Sequence, residues 1–146
     1  MKLTTKMRYG TRAMLELALH QGEEPLSLRE VAERQDISPK YLEQLFATLQ
    51  TAGLVNAVRG PRGGYALARP AESINLRQIY EALESPDGFV ACTANPQVCE
   101  RADHCVTQEV WARLYQTCMQ LLEETTLADL AARAREKAAS GWMYYI

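Results

Sequence analysis

The stretch from Ser27 to Arg69 leaves this chain few folds to choose from. It opens with Ser27-Leu28-Arg29-Glu30, a capping box: the serine hydroxyl takes the third helical N–H and the glutamate reaches back. Leu28, Val31 and Ala32 share one side of the short helix that follows, and Gln35-Asp36-Ile37 ends it. Ser38-Pro39 starts a second helix, with serine as N-cap and proline at the first helical position. There Leu42, Leu45, Phe46 and Leu49 recur at helical offsets and form a buried stripe, while Lys40, Glu43, Gln44 and Ala47 line the opposite face. Gly53 stops the helix in a left-handed conformation. Two short helices joined by a tight turn, the second with a polar outer face, form the helix-turn-helix pattern that reads a major groove.

Two strand patterns follow, Leu54–Val58 and Tyr65–Ala68, separated by Arg59-Gly60-Pro61-Arg62-Gly63-Gly64. Alone, this tip fits either a charged surface hairpin or a wing that lies on phosphates or enters a minor groove. Directly after a helix-turn-helix, the wing is the better reading. The candidate DNA contacts are Lys2, Ser38, Lys40, Tyr41, Glu43, Gln44, Arg59, Gly60 and Arg62. Net charge alone, −2 over 146 residues, argues against a nucleic-acid partner. Its distribution argues for one. Residues 1–69 carry ten Lys/Arg against seven Asp/Glu, whereas residues 70–146 carry six against eleven, so the basic excess lies with the reader.

The remaining chain reads as helices. The first spans about Thr5 to His20, with Tyr9, Ala13 and Leu17 on one stripe. Lys2, Lys6 and Arg12 are either phosphate contacts or ordinary solvated charges. Gln21–Pro25 is a loop, and Arg69–Ser73 a connector. Asn75-Leu76-Arg77-Gln78 is a second capping box, opening a helix that buries Leu76, Ile79, Tyr80 and Leu83 and ends at Ser85-Pro86-Asp87-Gly88. Thr107 is expected to cap a long helix whose apolar stripe is Val110, Trp111, Leu114, Tyr115, Cys118, Leu121 and Leu122. A stripe that long exceeds the needs of one small domain and reads as a dimerisation helix. A last helix runs from Thr126 to about Ala138, and the aromatic ending Gly141–Ile146 either frays or docks on a partner subunit. With 47% hydrophobic residues the chain can build one core, and it has no run of eighteen apolar residues. No signal peptide is recognisable, which argues for the cytoplasm and for reduced thiols.

Cys92, Cys99 and Cys105 fall in one loop between the two C-terminal helical regions, with six and five residues in the intervals. Structural zinc more often shows two close ligand pairs. Wide spacing on a loop suits an iron–sulfur cluster, with zinc, redox-active or inert thiols as the alternatives. Cys118 sits on the helical stripe and is expected to pack in the core. No nucleophile–base pair or phosphate-cradling loop is present, so an enzyme is the weaker class.

These residues carry a resemblance. Glu33–Ser38, Tyr41–Phe46, Gly53-Leu54-Val55, Val58–Pro61 and Gly63-Gly64-Tyr65, with Met1–Thr4, Arg8-Tyr9 and Ala13-Met14-Leu15, resemble the IscR/NsrR/CymR family of bacterial regulators, the IscR branch most. The resemblance spans Met1 to about Leu130. It implies a mainly α fold with a small β-wing: a winged helix-turn-helix over residues 1–84, a cysteine-bearing cluster loop over 85–106, and dimerisation helices and tail over 107–146. It further implies a cytoplasmic homodimeric repressor on a roughly palindromic operator, with no membrane partner. Its implied cofactor is an iron–sulfur cluster, 2Fe–2S in preference to 4Fe–4S, on Cys92, Cys99 and Cys105. Two departures leave the fourth ligand open. IscR-like chains carry histidine where this one has Gln108, and nitric-oxide-sensing relatives carry an acid where this one has Arg8. His104, Glu109, Gln108, Cys118 and a partner-subunit group are the candidates, His104 being otherwise a solvated loop histidine. The other reading is a winged-helix regulator without a cluster, zinc-stabilised or answering to a metabolite or partner protein.

Overall fold

The computed structural model describes residues 2–20, 24–85 and 87–143. The loop expected at Gln21–Pro25, the turn at Pro86 and the aromatic ending therefore lie partly outside the described residues. Helix α1 (Thr5–Leu19) is followed by α2 (Leu28–Gln35) and α3 (Pro39–Thr51). An antiparallel hairpin, β1 (Val55–Val58) and β2 (Gly64–Leu67), pairs Val55 with Leu67 and Val58 with Gly64. A 3-10 turn at Ala71–Ser73 leads to α4 (Leu76–Leu83), a four-residue α5 (Ala91–Ala94), and 3-10 turns at Pro96–Val98 and Ala102–His104. Two longer helices close the chain, α6 (Val106–Glu124) and α7 (Leu127–Met143).

The local signals of the Ser27–Arg69 stretch act as their chemistry requires. Ser27 and Glu30 form the reciprocal box, and the bonds from Ser27 hold the Glu30 carboxyl below its ordinary range. Asp36 takes the left-handed conformation, φ 52°, that ends α2 and turns the chain into α3. Arg12 closes that turn from outside, donating to the Gln35 side chain (2.7 Å) and to its carbonyl (2.6 Å). Ser38 Oγ accepts the Tyr41 N–H at 3.2 Å, and Pro39 occupies the first turn. Asn75 and Gln78 form the second box. Thr126 and Asp129 bond reciprocally in the same manner at the start of α7.

One core holds the molecule. Leu42, Leu45, Phe46 and Leu49 of α3 meet Met14 and Leu17 of α1, Val31 of α2, Val55 of β1, and Ile79 and Leu83 of α4, all buried. Each fully buried aliphatic or aromatic side chain contributes about 1.5–3 kcal/mol, so this stripe does more than propensity to keep the short helices formed. Helices α1 and α4 approach closely at Gly10, where a Cβ would strike the Leu83 methyl. The wing is tied down twice. Leu26 and Tyr65 exchange backbone hydrogen bonds (3.0 and 2.8 Å), and the Tyr65 ring stacks on Phe46 at 4.3 Å. At Gly64 the Leu26 carbonyl comes so near that a Cβ would collide with backbone.

The C-terminal region shares this core, since Met119, Leu127 and Ala131 are buried in the same cluster. The Leu76 N–H donates to the Thr125 carbonyl and the Leu127 N–H to the Ile74 carbonyl, both at 2.9 Å, so the α6–α7 turn is zipped to the start of α4. Arg77 bonds Glu81 within α4 (2.8 Å) and Glu123 of α6 across the same junction (2.9 Å). Three details differ from expectation. Cys105, not Thr107, stands at the N-cap of α6, because the helix begins at Val106, two residues earlier than a Thr107 cap would set it. Cys118 is only half-buried, and its neighbour Met119 fills the core instead. The last helix continues beyond Ala138 to Met143.

Candidate nucleic-acid interface and thiol segment

The N-terminal turns of α3 leave Ser38, Lys40, Glu43 and Gln44 exposed, on the side away from the Leu42–Leu45–Phe46 stripe. Their exposure follows from the 3.6-residue period, since burying one stripe turns the other outward. Ser38 spends its hydroxyl on the helix cap. Tyr41 is half-buried, its ring set edge-on to Tyr9 at 6.1 Å. Beside it, Lys2, Thr5, Lys6 and Arg8 line a shallow cleft that Tyr41 closes on one side. Lys6 also borders Gln44 and Thr48 of α3. The start of α1 thus adds cations to the edge of the reading helix. Sequence reasoning named Lys2 and Lys6 as possible phosphate contacts, but used Arg8 for the family resemblance and as a residue in place of a metal-binding acid, not as a contact; its place beside Tyr9 and Lys6 was the available signal. Arg12 is turned instead onto Gln35.

At the wing, Arg59 and Gly60 are exposed, Gly60 at φ 119°. Arg62 is 84% exposed and meets Glu24 at 3.1 Å, an ion pair in open solvent that is worth little and that a phosphate could displace. The reading helix and the wing tip are therefore two exposed polar surfaces set on one core.

The cysteines lie in the segment that leads from α4 to α6. Cys92 is in α5, Cys99 follows the Pro96–Val98 turn, and Cys105 precedes α6. All three are free and partly exposed. The Thr107 hydroxyl, 3.3 Å from Cys105 Sγ, and the Gln108 N–H hold the Cys105 thiol below its ordinary range, which favours the thiolate that binds metals. Gln108 Nε2 donates to the Cys92 carbonyl at 3.2 Å. His104 is exposed. Among the described residues no three Cys, His, Asp or Glu side chains converge closely enough to hold a metal ion. The fit is therefore one of donor chemistry. Three accessible soft ligands share one segment, as iron–sulfur clusters require, but they are not gathered into a site.

A family profile described as "Rrf2: Iron-dependent Transcriptional regulator" matches residues 3–133. The chain belongs to the Rrf2 family. Within that family it is 47% identical over 134 residues to the transcriptional regulator IscR of Cereibacter sphaeroides, covering 89% of this chain and 86% of that protein. It is 42% identical over 130 residues to protein rrf2 of Nitratidesulfovibrio vulgaris, covering 89% and 87%. Among solved structures, T. potens IscR superposes with a TM-score of 0.79 at 42% identity over 99% of this chain and 97% of that one. CymR, the global cysteine regulator of B. subtilis, does so at 0.77 and 38% identity over 91% and 98%. Rrf2 membership makes the chain a DNA-binding transcriptional regulator and not an enzyme, and makes the hairpin β1–β2 the wing of a winged helix.

Proposed function

We propose that this Rrf2-family regulator works in the cytoplasm as a homodimer whose grip on a roughly palindromic operator is set by an iron–sulfur cluster on Cys92, Cys99 and Cys105, 2Fe–2S in preference to 4Fe–4S. The observation that carries the reading is the position of the three free thiols. They lie on the one covalent path between the DNA reader and α6. Likeness to the two IscR proteins supports the same cofactor. When bound, a cluster supplies a redox-sensitive centre with three or more protein ligands. The chain's own residues do the remainder. Cys105 sits at the head of α6, and Arg77 with the Ile74–Leu127 and Leu76–Thr125 bonds joins the far end of α6 to α4. A shift at the head of α6 is thereby passed to a helix packed against both α1 and α3.

The dimer reading draws on exposed apolar side chains. Val106, Val110, Trp111, Leu114 and Leu121 stand 45–74% exposed on α6, a patch that solvent alone does not favour. Two readers held by this helix would meet successive major grooves, hence the palindrome.

Anaerobic reconstitution tests the cluster. Wild-type protein should take up iron and sulfide and absorb visible light. Cys92→Ala, Cys99→Ala and Cys105→Ala should each lose most of that absorbance, while Cys118→Ala keeps it. A normal spectrum with two of the three removed would overturn the assignment. A second reading, a regulator without a cluster, is favoured by the ungathered thiols and by the likeness to CymR. Stoichiometric zinc without sulfide in the purified protein would support it.

A further inference from the structure

The geometry points to Gln108 as a strap that holds Cys92 against the first turn of α6 and so sets its spacing from Cys105. Gln108 is then a positioning residue, not a ligand. Its use depends on the cluster proposed above, but the bonds that reveal it do not. Gln108 bonds the backbone of both cysteines. Its own N–H donates to the Cys105 carbonyl at 3.1 Å, and its side-chain Nε2 donates to the Cys92 carbonyl at 3.2 Å, 16 positions away in the chain.

No other hydrogen bond joins residues 87–99 to α6 among the described residues; the remaining contact is packing of α5 on α6, with the Phe89 ring edge-on to Tyr115 at 6.2 Å. The turns within the segment are closed locally, Thr93 Oγ1 on the Val90 carbonyl (2.7 Å) and the Gln97 N–H on Asn95 Oδ1 (3.1 Å). Those bonds shape each turn without fixing where Cys92 stands relative to the helix. α5 packs along α6, and the Gln108 amide supplies the one hydrogen bond that fixes Cys92 against that helix among the described residues. Closing such a loop costs little more than closing a shorter one, so a single partly buried bond can bias it. With Nε2 committed to a carbonyl, Gln108 keeps only a neutral amide oxygen, a weak match for iron among thiolates. The neutral side chain also leaves the charge around the thiols unchanged.

The test uses full-length, metal-free protein in a Cys99→Ser, Cys118→Ser background, so that only Cys92 and Cys105 remain. Phenylarsine oxide, which must bridge two thiols at once, is the probe. Gln108→Met, of similar length without a donor, should bind it about three- to tenfold more weakly, the worth of one such bond. Gln108→Asn, one methylene short of the carbonyl, should weaken binding likewise, and Gln116→Met, the same change at an exposed position further along α6, should not. Amide hydrogen exchange should rise at residues 90–95 and stay unchanged along α6. Parent-like arsenical affinity and exchange in Gln108→Met would overturn the proposal. So would a parallel fall in helix content and Tm in both variants, which would assign Gln108 to the fold at large. Because no cluster enters the assay, a failed reconstitution would count against the proposed cofactor and leave the strap standing.

Discussion

At the scale of single residues, the two wing arginines are not equivalent. Arg62 must leave Glu24 before it can meet a phosphate, whereas Arg59 has no ion-pair partner among the described residues. Both substitutions to alanine should weaken operator binding, Arg59→Ala more. Each lost phosphate contact should lower the log–log salt slope by about 0.9, which a titration series from low to moderate salt would measure. Unchanged affinity and slope in both variants would remove the wing from the interface. Glu43 is a carboxylate on the exposed face of α3, the helix proposed to meet the polyanion. It can accept from cytosine N4 and repels phosphates and guanine acceptors, so its expected role is exclusion. Glu43→Ala should broaden the range of operators bound, by about 1–3 kcal/mol at the affected base pair, even where total affinity rises. A binding-site selection that returns the same motif for both proteins would contradict this.

At the scale of elements, Gly64 marks where the wing meets the helix-turn-helix. A methyl there would collide with the Leu26 carbonyl, and backbone cannot swing aside as a side-chain end can. Gly64→Ala should cost about 1–3 kcal/mol in urea unfolding and weaken DNA binding by displacing the hairpin. Gly10 faces the end of Leu83 instead, so the same change there should be milder. Elements whose signals are local were legible in the sequence. The boxes at Ser27 and Asn75, the Ser38-Pro39 start and the stripe of α3 all stand where the residues place them. What escaped was partner choice. On α6 the apolar residues form two interleaved rows. Tyr115, Met119 and Leu122 turn inward, while Val110, Trp111, Leu114 and Leu121 turn outward. Periodicity finds apolar positions but not which of two surfaces each will meet, and so it read Cys118 as core in place of Met119. In the thiol segment the ordering comes from short side-chain bonds and from Gln108 reaching back to Cys92, a pairing that no spacing rule announces.

At the scale of the whole molecule, the outward row of α6 is the feature to disturb. Trp111→Glu with Leu114→Glu places charge at two of its exposed positions while leaving Met119 and Leu122 in place. The proposed dimer should then dissociate in sedimentation at micromolar concentrations. Helix content should be retained, and operator affinity should fall by far more than either reader's own contacts would explain, because linked readers gain from effective concentration. A monomer in wild-type protein at the same concentration would refute the dimer.

The stack of Phe46 on Tyr65 has a consequence for the operator itself. Helix α3 and the wing are joined by this stack, so the span between them is expected to act as a caliper with its jaws locked. A caliper cannot adapt to what it measures, so the duplex must yield. Base steps lying between the two jaws, touched by neither, should then be selected for how cheaply they bend or narrow. Loosening the joint with Phe46→Leu would be expected to blur sequence preference at those silent positions first.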